Sequence, residues 1–215
     1  MDSKFNKTII ILLFVFGIIF MIIGSTFAYF AATINSIGDN ISGSTYKFNV
    51  DLNISSIKNN KLIPIADNLI DDTLNSTHIC TDTRGYGLCY LYKITFTNRG
   101  SAQNLIGYLK TNNTTFETNN LKYQLFRKNG NTYSFISDMK SVPVLNANSD
   151  FTLSNNNMIV TLNDGTASNY STELYLAIWL SDSGNNQLED SDKTYSGSIT
   201  FTSSSGNTIS VDFSN

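Results

Sequence analysis

Thr45-Tyr46-Lys47-Phe48-Asn49-Val50-Asp51-Leu52-Asn53-Ile54 places an aromatic or aliphatic side chain at every second position, with Lys47, Asn49, Asp51 and Asn53 between them. That period of two puts the apolar set on one face of a β-strand; a helix would scatter it around its axis. Tyr90, Tyr92, Ile94 and Phe96 repeat the pattern, as do Tyr195, Ile199 and Phe201, and then Ile209, Val211 and Phe213. These read as half-buried strands. Leu174 to Leu180 differs: Leu174, Leu176, Ile178 and Leu180 share one face while Tyr175, Ala177 and Trp179 fill the other. A strand apolar on both faces belongs in the middle of a sheet.

Turn chemistry separates these runs at short intervals. Asn129-Gly130 lies between Leu121–Phe126 and Thr132–Ile136 and predicts a two-residue type I′ hairpin, which needs positive φ angles. Arg99-Gly100, Asp164-Gly165 and Ser205-Gly206 are further turn candidates, and only Pro64 and Pro143 interrupt the chain. About nine or ten short strands with no amphipathic helix predict an all-β chain folded as a single β-sandwich, a jelly roll, over residues 44–215. Residues 55 to 79 have little periodicity and read as a long surface excursion.

The N-terminus has its own logic. Lys4 and Lys7 precede a stretch without charge from Thr8 to Phe30, almost continuously apolar from Ile9 to Ile23. A positive head, an apolar middle and small residues at the exit read as a secretory signal over residues 1–28. Thr26 and Ala28 then stand at the minus-three and minus-one positions of a cut before Tyr29. The same segment also reads as an uncleaved hydrophobic helix reaching to about residue 30, since its length at about 1.5 Å per residue exceeds a hydrocarbon core of roughly 30 Å. In either case the two lysines hold the N-terminus in the cytoplasm and the remainder is exported. The segment from 29 to 43 forms an extension before the sandwich.

Composition narrows the partners. The chain carries a net charge of −3, which becomes −4 once Asp2, Lys4 and Lys7 leave with residues 1–28. No basic stripe exists for nucleic acid or anionic lipid headgroups. Charged residues make up only 14% while Asn, Ser and Thr supply about a third, so the surface is built from neutral polar side chains and repels its own copies weakly.

Cys80 and Cys89 flank Thr-Asp-Thr-Arg-Gly-Tyr-Gly-Leu, and in an exported chain a lone pair at this spacing predicts a disulfide closing a short loop, with Gly85 and Gly87 letting the chain double back. His78 is the single histidine, which leaves a serine or zinc hydrolase few ways to assemble, and no catalytic motif is present. No catalytic residue, metal ligand or cofactor is therefore expected. Asp182, Glu189, Asp190 and Asp192 lack the alternating ligand spacing of an EF-hand and read as an exposed acidic loop. Trp179, on a two-faced strand, reads as core.

Several stretches together resemble the TasA and camelysin group of Gram-positive exported proteins. They are the exit Thr26-Phe27-Ala28-Tyr29-Phe30, the early strand Phe48-Asn49-Val50-Asp51-Leu52, the late block Tyr175-Leu176-Ala177-Ile178-Trp179-Leu180, and the ending from Asp192 to Phe201 with its Tyr195-Ser196-Gly197-Ser198-Ile199-Thr200-Phe201. The resemblance implies processing by an ER-type signal peptidase, a jelly-roll sandwich and, as in the best-known member, assembly into biofilm matrix fibres. It departs from the group at Ala31-Ala32-Thr33, where an acidic residue often follows the aromatic pair, and in the cysteine loop.

The expectation is a non-enzymatic structural protein, secreted or held at the cell surface, that self-associates by β-strand addition. Phe30, Ile34, Ile37 and Ile41 would carry the added strand into another copy or a related matrix subunit. The same residues also read as the first strand of their own domain or as a linker. The rival expectation is a membrane-anchored extracellular binding or adhesion module with contacts in loops 55–79 and 181–193.

Overall fold

The computed structural model describes residues 48–116, 120–151, 160–185, 187, 190 and 193–215. Its strands are β1 (Val50–Lys58), β2 (Tyr90–Asn98), β3 (Gln103–Thr114), β4 (Leu121–Asn129), β5 (Thr132–Phe135), β6 (Lys140–Ser141), β7 (Asn148–Asp150), β8 (Val160–Leu162), β9 (Tyr170–Leu180), β10 (Tyr195–Ser203) and β11 (Thr208–Ser214). Between β1 and β2 a single 3-10 turn (Asp67–Leu69) leads into one short helix, α1 (Ile70–Leu74). The hydrophobic stretch 8–30, as signal or helix, lies outside the described residues. Among the described residues no helix is long and apolar enough to cross a membrane.

All strand pairings are antiparallel and form two sheets. The first runs β1-β2-β9-β4-β5, with β6 also on β4; the second runs β11-β10-β3-β7, with β8 also on β3. The expected all-β sandwich is present, but its strand order differs from the expected jelly roll. With β1, β2, β3, β4, β9, β10 and β11 lettered A to G, the sheets read A-B-E-D and G-F-C, the order of a constant-type immunoglobulin sandwich. β5 to β8 are an insertion between the fourth and fifth strands of that plan. Period-two patterning specifies faces, not the order of strands across a sheet, so two sandwich topologies fit one pattern equally well.

The two inner faces meet in one aromatic-rich core. β2 contributes Tyr90, Tyr92, Ile94 and Phe96, β9 contributes Leu174, Leu176, Ile178 and Leu180, and the second sheet answers with Leu105, Leu109, Tyr195, Ile199, Phe201 and Phe213. Phe96 meets Phe201 edge-on with centroids 4.8 Å apart, and Tyr92 packs on Phe213 at 4.6 Å. Three of the four tyrosine hydroxyls in this core find partners. Asn215 Nδ2 donates to Tyr90 at 2.7 Å, Tyr123 donates to Ser149 Oγ at 2.6 Å, and Tyr195 pairs with Thr111 Oγ1 at 3.1 Å. The Tyr92 hydroxyl has none.

As its two apolar faces require, β9 sits between β2 and β4. Its outer face, with Tyr175, Ala177 and Trp179, is covered by Ile65, Ile70, Leu74 and the two cysteines in a second cluster. This corrects the expected surface excursion. Residues 59 to 79 close over the outside of the first sheet, and Leu62 even reaches the main core at 1% exposure. The spacing Ile70 and Leu74, one helical turn apart, was the available signal, but five residues are too few for a periodicity to stand out.

Two boundaries also move. β1 begins at Val50, not Thr45, and runs on to Lys58; Phe48 and Asn49 precede it, and residues 45–47 lie outside the described residues. A register shift between Ser56 and Lys58 inserts one residue, which breaks the alternation and hides the end of the strand from a pattern search. The β4–β5 hairpin is where Asn129-Gly130 placed it, one residue later. Asn129 pairs with Thr132, so the turn is Gly130-Asn131. Gly130 has φ +58° and Asn131 is not in the positive region, which is the sign pattern of type II′, not I′.

Candidate functional site

Two regions carry unused interaction capacity. The first is a side of the sandwich that no described strand covers. The far edges of both sheets are occupied by short insertion strands, β5 and β6 along β4 and β7 and β8 along β3. At the near side β1 and β11 end their sheets next to one another, and among the described residues neither has a second neighbour. Phe48, Leu52 and Ile54 on one side and Ile209 on the other pack against the main core while only partly buried. A strand edge whose outward N–H and C=O groups are unpaired is a template for another strand. The defences here are slight: Asp51, tied to Arg99, and the bulge on β1, and Asp212 on β11.

The second region is the ring closed by Cys80 and Cys89, which are bonded as predicted and almost wholly buried. Inside the ring Asp82 organises a tight turn, its Oδ1 accepting from the backbone N–H groups of Arg84 at 2.9 Å and Tyr86 at 2.8 Å. The two glycines serve different purposes. Gly85 supplies φ +90°, whereas Gly87 lets the ring approach the 59–79 segment, since a Cβ there would lie 2.7 Å from the Lys61 carbonyl oxygen. Gly87 donates to Lys61 O at 3.2 Å and accepts from Ile63 N at 2.8 Å, which stitches the ring to the excursion. Trp179 fixes the other end by donating from Nε1 to Asp67 Oδ1 at 2.8 Å.

Between α1 and this ring lies a cavity of about 540 Å³. Its apolar surface is Ile65, Leu69 and Leu88, and its polar surface includes Asp72, His78, Asp82 and the hydroxyls of Thr77 and Thr83. No lysine or arginine lines it. Negative charge is concentrated on α1: burial, and then the neighbouring Asp72 charge, raise the Asp71 carboxyl above its ordinary range. The disulfide holds one wall of this cavity. Replacing both Cys80 and Cys89 by serine is expected to cost about 2.5–3 kcal/mol by the loop-entropy relation. Thermal unfolding followed by circular dichroism checks it, with the second cluster loosening while the sheets persist.

Of the residues singled out in the sequence, Cys80 and Cys89 pair, and Trp179 is fully buried. His78 is exposed and lines the cavity. Asp190 is buried and held by Lys193 at 2.8 Å, and Asp182 Oδ1 accepts from Gly184 N in an exposed turn; Glu189 and Asp192 lie outside the described residues. Thr26, Ala28 and Tyr29 of the cleavage site, and Phe30, Ile34, Ile37 and Ile41 of the assembly segment, also lie outside them. Among the described residues no three His, Cys, Asp or Glu side chains come together as a metal site would need. The cavity itself escaped sequence reasoning, because it depends on α1 and the disulfide ring facing one another.

No protein-family model matches the chain, and no curated protein matches it. Among solved structures, the major pilin subunit of Bacillus cereus aligns over 76% of this chain and 38% of its own, at 10% identity and a TM-score of 0.31. This chain therefore spans well under half of that subunit. The C. elegans p53 orthologue Cep-1, in its DNA-binding domain, aligns over 76% of this chain and 87% of its own, at 10% identity and a TM-score of 0.26.

Proposed function

We propose that this chain is a non-enzymatic exported structural protein of a cell surface or biofilm matrix, whose copies associate by β-strand addition along the β1/β11 side. The observation that carries this reading is the juxtaposition of two long strand edges, each without a second neighbour among the described residues, over half-buried Phe48, Leu52, Ile54 and Ile209. An incoming strand with alternating apolar residues gains backbone hydrogen bonds from an edge and apolar contact from the seam. The segment proposed to supply it is residues 29–43, in which Phe30, Ala32 and Ile34 alternate along one face, while Ile37 and Ile41 fall on the opposite face of an extended strand. A chain that offers the strand at one place and the edge at another makes head-to-tail contacts that do not close, and so builds filaments. The disulfide supports export, since such bonds persist in oxidising surroundings. Low charge density permits close approach of copies.

The test compares residues 29–215 with a chain beginning at Ser44, by sedimentation and negative-stain electron microscopy over a range of concentrations. Filaments are expected from the longer chain alone, and an excess of a synthetic 29–43 peptide should shorten them. Monomers from both chains at every concentration would sink the proposal.

A further inference from the structure

The cavity between α1 and the disulfide ring is distinct from the β1/β11 side and has a chemistry of its own. It is an open cleft of about 540 Å³, within the roughly 300–1,000 Å³ usual for small-molecule sites, and its lining combines polar side chains with an apolar floor. The floor is Ile65, Leu69 and Leu88. Leu69 is 45% exposed, a large aliphatic side chain open to solvent beside polar neighbours.

Charge decides the class of ligand. Asp72 comes from α1 and Asp82 from the ring, one carboxylate from each of the two elements that line the cleft. Asp72 makes no hydrogen bond or ion pair with a described residue, and Asp82 spends only Oδ1 on the ring backbone, leaving Oδ2 unbonded among the described residues. With no lysine or arginine in the lining, phosphate, sulfate and uronate groups are repelled and an organic cation is favoured. Asp72, His78 and Asp82 all line the cleft, but among the described residues no three such side chains come together as a divalent metal ion would need. Thr77 and Thr83 add exposed hydroxyls to the lining, and the Thr81 hydroxyl, which donates to the Ile79 carbonyl at 3.1 Å, keeps its acceptor capacity for a polyhydroxylated ligand.

We propose that this cavity binds an amino sugar: its ammonium group between Asp72 and Asp82, its ring hydroxyls on the threonine hydroxyls, and its C–H face on Ile65, Leu69 and Leu88. One ligand class then uses all three kinds of lining. The site requires an intact Cys80–Cys89 bond, since Thr81, Asp82, Thr83 and Leu88 all stand in the closed ring.

Titration calorimetry of the full-length chain in mild detergent tests this with three β-1,4-linked trisaccharides that differ at one carbon, carrying an amine, an N-acetyl group or a hydroxyl there. The glucosamine trimer is expected to bind at least about tenfold more tightly than the N-acetylglucosamine trimer or cellotriose, as a charge-assisted hydrogen bond warrants. Added salt should weaken it. Asp72→Asn and Asp82→Asn should each lower its affinity by about tenfold with the disulfide and the melting temperature retained; asparagine at 82 keeps the oxygen that caps the ring. Equal binding of the three sugars, or no binding of the glucosamine trimer at millimolar concentration, overturns the proposal. These two outcomes are read on the unaltered chain, so they stand even where a variant disturbs the ring.

Discussion

Trp179→Ala is expected to destabilise the protein by about 3–5 kcal/mol, the usual cost of truncating a buried aromatic side chain to alanine. The indole is fully buried on the outer face of β9, among Ile65, Ile70, Leu74 and Leu91, in a cluster too small to collapse around the void. It also anchors the 3-10 turn through Asp67. Trp179→Phe separates the two contributions. It keeps most of the packing and loses the hydrogen bond to Asp67, which is itself partly exposed and can take water instead, so a loss of about 1 kcal/mol is expected. At about 2–4 °C per kcal/mol for a domain of this size, alanine should lower the melting temperature by on the order of 10 °C and phenylalanine by a few degrees. Equal, small shifts for both would show that the second cluster contributes little to the fold. Because Trp179 is the only tryptophan, its fluorescence in the unaltered chain reports on this cluster alone.

The consequence for function is that the excursion is not a free loop. Trp179, the Gly87 stitching and the Cys80–Cys89 bond all fix residues 59–88 on the outside of the first sheet. Both the cavity and its carboxylates are thereby held by the fold. The β1/β11 side has no such cover among the described residues. Among the described residues the sandwich is thus covered on one outer face and along its insertion edges, and open along one seam.

How far this was legible depends on the range of the interaction. Faces of strands were legible, because alternation is local: Tyr90, Tyr92, Ile94 and Phe96 point inward as their spacing required, and Leu174–Leu180 is central as its two apolar faces required. The disulfide was legible from the spacing of two cysteines and the expectation of export. The order of strands was not, since A-B-E-D against G-F-C rests on pairings such as β2 with β9, some 80 residues apart, that leave no local mark. The role of residues 59–79 was hidden for a related reason. Leu62, Ile65, Ile70 and Leu74 are buried by irregular backbone and a five-residue helix, and neither imposes a period. At the cavity, Asp72 and Asp82 were visible as residues, but their place in the lining of one cleft is a product of the tertiary fold.

A steep loss of stability above about pH 10 is the second large effect expected. Tyr90, Tyr92, Tyr123 and Tyr195 lie between the sheets with no more than 1% of their surface exposed. Burial pushes the hydroxyls of Tyr90 and Tyr123 up to about 12, partly opposed by their hydrogen bonds with Asn215 and Ser149, and it drives Tyr92 and Tyr195 higher still. In the unfolded chain all four release their protons near pH 10. Their folded values are raised, so their contribution is fully present below about pH 10 and is lost as pH rises toward the folded values, while the native state holds protons the unfolded state has released. Each tyrosine then contributes a slope of about 1.4 kcal/mol per pH unit, and four together about 5 kcal/mol per pH unit. Against a total stability on the order of 5–15 kcal/mol, unfolding is expected within about two pH units. Near-ultraviolet tyrosinate absorbance and far-ultraviolet circular dichroism should therefore change together in one cooperative step. A gradual rise in tyrosinate with the sheets intact would mean that solvent reaches these hydroxyls in the folded state, contrary to the packing described. Tyr92→Phe sharpens the test. Its hydroxyl has no partner, so phenylalanine keeps the ring against Phe213, removes a buried unsatisfied group and removes one titrating proton. That variant should be at least as stable as the parent at neutral pH and should unfold at higher pH. Tyr195→Phe gives up its bond to Thr111 and should be less stable at neutral pH.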